Sequence, residues 1–221
     1  MRPDPAAIQD LLARARQLVG REIGQVAMGL PGPPRQPSLG HKGWSGEVIE
    51  QALGVPAHGE AGPDFPALGI ELKTIPLNAR WVPVETTHVC TLNLTQDLQT
   101  AWEESRVYQK LRHVLFVPLI TAPGMPQAER RIGAALLWQP SLEEDALLSQ
   151  DWEEIISMIG QGELHRVSAR IGQVLQLRPK AASGRALTPG RDEEGRPAAQ
   201  LPRGFYLRTR FTHSILRRLA F

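Results

Sequence analysis

Apolar residues recur at helical spacing through Ile8, Leu11, Leu12, Ala15, Leu18 and Val19, up to Gly20. Asp4 followed by Pro5 supplies an N-cap and a first-turn proline, so this opening stretch predicts an amphipathic helix. The run from Leu30 to Pro37 holds four prolines and predicts an irregular arm. A second helix is expected from Trp44 to Leu53, stopped by Gly54, and residues 55–66 read as a turn-rich connection. Ala67 to Ile75 then alternates as a strand does, with Ile70 and Leu72 on one side and Glu71 and Lys73 on the other. Val84 to Leu94 is rich in β-formers and is expected to pair beside it.

Further on, residues 101–112 read as helical, His113 to Ile120 as a strand, and Arg131 to Trp138 as another strand. Ser141 with Glu144 makes a capping box for an acidic amphipathic helix running to about Ile159. A short strand from Gln173 to Arg178 precedes a segment, residues 179–203, rich in Pro, Gly and Arg. Gly204 to Arg208 is a short strand and Phe211 to Leu219 a terminal helix. Strands cluster mid-chain without βαβ alternation, which predicts an α+β fold. A segment as long as 179–203 without structure of its own is uncommon in a compact domain and points to a functional loop.

Composition narrows the class. At 221 residues and 24.4 kDa the chain suits one large domain or two packed lobes. Its 42% hydrophobic and 22% charged residues exclude wholesale disorder. Cys90 is the single cysteine, so neither an intrachain disulfide nor a cysteine zinc site can form, and its apolar strand makes it a core residue. The histidines show no H-x₃-H or H-E-x-x-H spacing for zinc. The tryptophans read mostly as structural anchors. No run of 18 apolar residues occurs and the first residues carry charges in a helical pattern, so a soluble, cytoplasmic protein with no membrane span is expected. A net charge of +2 and a pI near 9.0 give a mild basic excess that suits nucleic acid. Of the 25 cationic residues only four are lysine, Lys42, Lys73, Lys110 and Lys180, which marks them as places where a compact ammonium is required.

The chemistry concentrates at Pro63-Asp64 and, six residues on, Glu71-Leu72-Lys73. On a strand Glu71 and Lys73 project from the same face, about 6–7 Å apart along the chain. Asp64, on the segment feeding that strand, can fold back beside them. Two carboxylates and the Leu72 backbone carbonyl suit an oxygen-liking cation such as Mg²⁺. A neighbouring lysine can orient a metal-bound water or stabilise charge developing on a phosphate. Such a pattern alone also arises as a solvated cross-strand pair, and Glu50 alone reads as a solvent-facing helix residue.

The whole constellation, a helix with Glu50 ahead of Asp64…Glu71-x-Lys73, resembles the PD-(D/E)xK nuclease superfamily. Beyond it, Lys42-Gly43-Trp44, Leu68 through Pro76, Glu85-Thr86-Thr87, Trp102-Glu103, Lys110-Leu111, Asp151-Trp152-Glu153-Glu154, Arg178-Pro179-Lys180-Ala181 and Leu201 through Leu207 resemble the MutH family of strand-nicking mismatch-repair endonucleases over nearly the whole chain.

That resemblance implies a restriction-endonuclease-like mixed β-sheet core flanked by helices, with two lobes forming a DNA-binding cleft. The expected division is a catalytic lobe over about residues 1–100 and a second lobe over 101–221, with a DNA-reading loop around 178–206. It implies Asp64 and Glu71 as Mg²⁺ ligands, Lys73 as the catalytic lysine, Glu50 as an additional active-site carboxylate and Lys110 near the scissile region. Lys42 would line the cleft, and Arg178, Pro179, Lys180 and Tyr206 would approach the bases. Phosphate contact by Arg178 or Lys180 and a core role for Tyr206 are the alternatives. His88 stands where the family pattern has an aromatic.

The implied reaction is nicking of the unmethylated strand 5′ of the guanine in hemimethylated GATC, by a monomer that a MutL-type protein activates after a MutS-type sensor finds a mismatch. A GATC restriction enzyme cutting both strands and a catalytically inactive DNA-binding module are the competing readings. The acidic helix from Ser141 is a candidate docking surface for the activator or simply a solvated face.

Overall fold

The computed structural model describes residues 4–32, 34, 43–55, 62–180, 188–191 and 196–220; side chains at 95, 188–191, 197–200 and 220 are left aside. Lys42, most of the proline-rich arm, part of the 55–66 connection and much of the 179–203 segment therefore lie outside the described residues. Helix α1 spans Pro5–Leu18, with the Asp4 carboxylate accepting from the Ala6 N–H at 2.9 Å. Helix α2, Ile23–Met28, was not apparent from periodicity: it is only six residues long, and a capping box between Glu22 and Gln25 starts it. Helix α3 spans Trp44–Leu53 and ends at Gly54, whose φ of 80° closes the left-handed cap.

Strand β1 is Glu71–Leu77. It begins later than the alternation predicts because Pro66 to Gly69 form a turn, with Gly69 at φ +63° and Phe65 bridged to Ile70. Strand β2 is Thr87–Thr91, followed by a short helix α4, Leu94–Asp97. The expected helix over 101–112 is broken: a 3₁₀ turn over Trp102–Glu104 gives way at Ser105, whose hydroxyl caps the Tyr108 N–H and opens α5, Arg106–Leu111. Strand β3 is Val114–Ile120, and the single strand expected over 131–138 is two, β4 at Arg131–Ile132 and β5 at Leu136–Trp138. Helix α6, Leu142–Gly160, carries the reciprocal Ser141–Glu144 cap its sequence announces. Strand β6 is Leu175–Pro179; β7, Thr188–Arg191, and β8, Pro197–Gln200, pair as a hairpin inside the segment expected to be a loop. Strand β9, Arg203–Leu207, and helix α7, Thr209–Leu216, complete the chain. The fold is α+β.

Two compact units form, and they interleave along the chain: Met1–Glu85, Arg112–Gln139 and His213–Phe221 make one, Thr86–Leu111 and Pro140–Thr212 the other. Residue 100 lies inside the second unit. The first unit holds a sheet in which β3 pairs parallel with β1, Glu71 opposite Val114 through Leu77 opposite Ile120, and antiparallel with β4 and β5. The second holds the antiparallel sheet β2-β9-β6, so β2 pairs with β9 and not with β1 as the sequence order suggests.

In the first unit, Trp44, Val48, Ile49 and Leu53 of α3 pack with Leu11, Ile23, Leu72, Leu115 and Val117 in one buried cluster. Each such side chain contributes about 1.5–3 kcal/mol on burial. Pro118 is tolerated within central β3 because it falls between the segments paired with β5 and β4, and its carbonyl accepts from Gly133 at 2.8 Å. Trp44, Trp102, Trp138 and Trp152 are buried anchors, as is Cys90. Trp81 is the exception, 46% exposed at the tip of a turn built on Asn78 and held at a φ of 61°.

The second unit is pinned by a buried charge. Asp151 of α6 is 2% exposed, and its carboxylate accepts from the backbone N–H groups of Gln173, Val174 and Leu175 at 2.7–2.9 Å. Gly172, at φ +83°, makes the approach possible; a Cβ there would sit 2.0 Å from the Leu175 carbonyl oxygen. Arg208 closes the same loop from the other side, donating to the carbonyls of Ala169, Ile171 and Gly172. Asp151→Ala leaves three inward amides without their acceptor and is expected to cost about 3–5 kcal/mol of stability. Urea unfolding at constant pH measures it, and a loss under about 1 kcal/mol would show that water replaces the carboxylate.

Candidate active site

The site begins with strand alternation. On β1, Glu71 and Lys73 share a face, and the Lys73 ammonium donates to Glu71 Oε1 at 2.6 Å while Glu71 is only 2% exposed. Leu72 turns into the core cluster. The Glu71 N–H donates to the His113 carbonyl on the β3 side, so the next residue, Leu72, directs its N–H and carbonyl to the opposite edge. That edge is where Asp64 stands: its Oδ2 accepts from the Leu72 N–H at 2.7 Å. The return is made by a closed turn in which the Leu68 N–H donates to the Phe65 carbonyl and Phe65 and Ile70 exchange hydrogen bonds. Asp64 thus lies beside Glu71-Leu72-Lys73, as the spacing predicts.

Helix α3 brings the third carboxylate. Glu50 feels the charges of Asp64, Lys73, Glu47 and Glu71, and burial, then the Asp64 charge, pushes its carboxyl above the ordinary value of 4.5. Glu50 is therefore no solvated helix residue. Thr74 joins unannounced: a Cβ at Gly46 would stand 3.8 Å, ordinary van der Waals contact, from both Glu50 Oε1 and Thr74 Oγ1, so the two side chains flank the same point of α3. Strand alternation cannot assign Thr74 to the site, because it lies on the Leu72 side of β1.

The remaining candidates belong to the second unit. Lys110 sits near the end of α5. Arg178, Lys180 and Tyr206 lie on the polar face of the β2-β9-β6 sheet, opposite the face carrying Leu175, Leu177, Phe205 and Leu207. Arg178 donates to the Thr86 hydroxyl at 2.7 Å and its guanidinium carbon stands 5.3 Å from the Tyr206 ring centre. Lys180 donates to the Thr91 hydroxyl at 3.1 Å, and Pro179, exposed, ends β6 between them. His88, the register partner of Tyr206 on β2, meets that ring edge-on at 5.1 Å, and its imidazole covers Gly204. His88 thus packs on Tyr206 as an aromatic side chain would. Burial pushes the Tyr206 hydroxyl up, with Arg178 pulling the other way, so it remains a protonated donor at neutral pH. Thr86 stands in the family-like stretch Glu85-Thr86-Thr87 with no role attached to it, and the sequence marks neither Thr91 nor Gln176; the period of two from Gln176 to Arg178 to Lys180 is the signal available.

The sequence profile described as "DNA mismatch repair enzyme MutH" matches residues 53–151. The chain is 46% identical to the DNA mismatch repair protein MutH of Serratia proteamaculans, covering 98% of this chain and 95% of the relative. It is 46% identical to that of Vibrio cholerae over 99% of both chains, and 48% identical to that of Salmonella typhi over 97% and 93%. The chain belongs to the MutH family.

For a MutH-family protein the donor set is informative. Asp64, Glu71 and the outward Leu72 carbonyl supply hard oxygen atoms, and Glu50 lies within the field of both carboxylates, a concentration of negative charge that a cation offsets. Among the described residues no three His, Cys, Asp or Glu side chains form a cation cage of their own, so the carbonyl and solvent must complete any coordination. No helix among them is long and apolar enough to cross a membrane.

The crowding has a thermodynamic signature. Above pH 4.5 the unfolded chain releases the Glu50 proton that the folded protein retains, so this group lowers stability as pH rises, until the folded-state carboxyl ionises too. Glu50→Gln should therefore melt higher than wild type at neutral pH in EDTA, with the gap closing as pH falls toward that value. Melting curves across this range check it; a gap independent of pH would remove the charge crowding.

Proposed function

We propose that this protein is a divalent-metal-dependent DNA endonuclease that nicks the unmethylated strand of hemimethylated GATC, 5′ of the guanine, in methyl-directed mismatch repair. The observation that carries the reading is Asp64 bonded to the open edge of a strand whose next residues set Glu71 and Lys73 together at 2.6 Å. Asp64, Glu71 and the Leu72 carbonyl are the groups to hold Mg²⁺. When bound, the ion supplies Lewis-acid stabilisation of a phosphodiester under attack.

The chain's own residues do the rest. Glu71 fixes the Lys73 ammonium, which then meets charge developing on the scissile phosphate without reorganising. Glu50 adds a carboxylate beside Asp64 that favours cation capture. Lys110 and Lys42 engage DNA near the cut.

Arg178, Pro179, Lys180 and Tyr206 read the bases. A methyl group on adenine N6 removes one donor hydrogen and adds bulk, so a close polar contact there distinguishes the strands. The enzyme acts as a monomer, recruited by a MutL-type activator after a MutS-type sensor binds a mismatch.

A supercoiled plasmid carrying GATC, incubated with Mg²⁺ or with EDTA, tests the activity: nicked circles support it, linear product points to a restriction enzyme, and no cleavage to a binding module. Lys73→Ala and Lys73→Arg should each lose at least about 10²-fold in nicking while binding DNA normally, because the ammonium acts in the transition state. Near-normal turnover in the arginine variant would overturn its role.

Lys180→Ala separates base reading from phosphate contact. If Lys180 reads adenine, about 1–3 kcal/mol of discrimination between unmethylated and methylated strands disappears. Uniformly weaker binding with an unchanged ratio of rates would assign it to the backbone.

A further inference from the structure

Beside the polar face of the second sheet a pocket of about 440 Å³ opens, lined by Thr86, Gln176, Arg178, Arg208, Thr209 and Arg210. Among the described residues no carboxylate lines it. Three guanidinium groups share it, and their hydrogen bonding differs. Arg208 is held by three backbone carbonyls, which fixes its charge in place without neutralising it. Arg178 donates to Thr86. Arg210 is exposed and has no hydrogen bond or ion pair with any described residue.

At the pocket wall lies Gln176, 4% exposed, whose side-chain amide makes no hydrogen bond with any described residue. The amide is thus open to whatever enters the pocket, water in the free protein or a polar ligand in its place. Thr209 and Arg210 are the first residues of α7, an eight-residue helix, so its positive end adds to the same field.

We propose that this pocket is an anion site that receives a phosphodiester of the DNA backbone and sets the register in which the neighbouring Arg178 and Tyr206 meet the bases. Beside the apolar Ala169, its charged side chains are all cations and its other polar side chains, Thr86, Thr209 and Gln176, can donate, as a phosphate requires; Gln176 supplies its amide hydrogens to an oxygen. Gln176 and Arg178 follow one another on the same face of β6, and Tyr206 is the register partner of Gln176. One anchored phosphate therefore fixes the distance from backbone to reading residues. The assignment rests on the DNA-cleaving reading above.

The test measures binding to duplexes with unmethylated, methylated and no GATC, without divalent metal, across a salt series. Arg210→Gln changes an exposed side chain, so its fold should be intact. It should bind all three duplexes several-fold more weakly, with a salt slope shallower by about 0.9, the share of one phosphate contact. Gln176→Glu places a carboxylate in the pocket and should weaken binding at least as much, judged against its melting temperature. An unchanged salt slope in Arg210→Gln overturns the proposal, as does weakening confined to GATC duplexes, which would make Arg210 a base reader.

Inorganic phosphate is the second probe. If it raises the melting temperature of wild type but not of Arg210→Gln while DNA binding stays equal, the site takes a free anion, and the backbone assignment falls. Absence of DNA binding by wild type itself would remove the endonuclease reading together with this one, whereas a wild type that nicks GATC beside an Arg210→Gln with an unaltered slope removes this one alone.

Discussion

The parallel pairing of β1 with β3 is the constraint from which the site follows. In this ladder alternate residues of β1 turn their amides to β3, as Glu71 does toward His113. Leu72 is left facing the open edge, where its N–H holds Asp64. The same alternation sends Glu71 and Lys73 to one face and Leu72 into the hydrophobic cluster. A single register thus places two carboxylates, a carbonyl and an ammonium. Shifting it by one residue would bury Lys73 and expose Leu72.

The polar face of the second unit's sheet is braced differently. That sheet carries polar residues on one side and Leu175, Leu177, Phe205 and Leu207 on the other. The loop that feeds β6 is held by a carboxylate within and a guanidinium without, Asp151 and Arg208. Both use full charges on backbone groups, which are stronger than neutral hydrogen bonds and geometrically stricter. Arg178, four residues beyond the anchored Val174, inherits that rigidity. The polar side chains of that face are therefore held by a framework built wholly within the protein.

Much of this was legible in the sequence where the deciding interactions are local. The caps at Asp4 and Ser141, the stop at Gly54 and the shared face of Glu71 and Lys73 depend on neighbours within a few residues, and the structure has each of them. Glu50 could not be assigned by pattern, because its surroundings come from a turn and a strand more than ten residues away. The pairing of β2 is not legible for a related reason: adjacency along the chain suggests β1, while Cys90 finds Phe205 across more than a hundred residues. The breaks at Ser105 and Gly133 escaped because one hydroxyl cap and one close backbone approach outweigh a run of propensities.

The interleaving of the two units bears on how the protein comes to exist at all. The chain passes between them at Glu85, Leu111, Gln139 and Thr212. On a ribosome β1 emerges well before β3, and the strand pairing that organises the site must wait until the intervening segment has been made. Such non-local closure slows folding and lengthens the time during which an apolar strand like Val114–Ile120 stands unpaired. Neither unit is a contiguous piece of sequence, so no truncation can isolate one as an independent fragment. Strand β1 and the β2-β9-β6 sheet are inherited together, and evolution can exchange neither by simple recombination at a single junction.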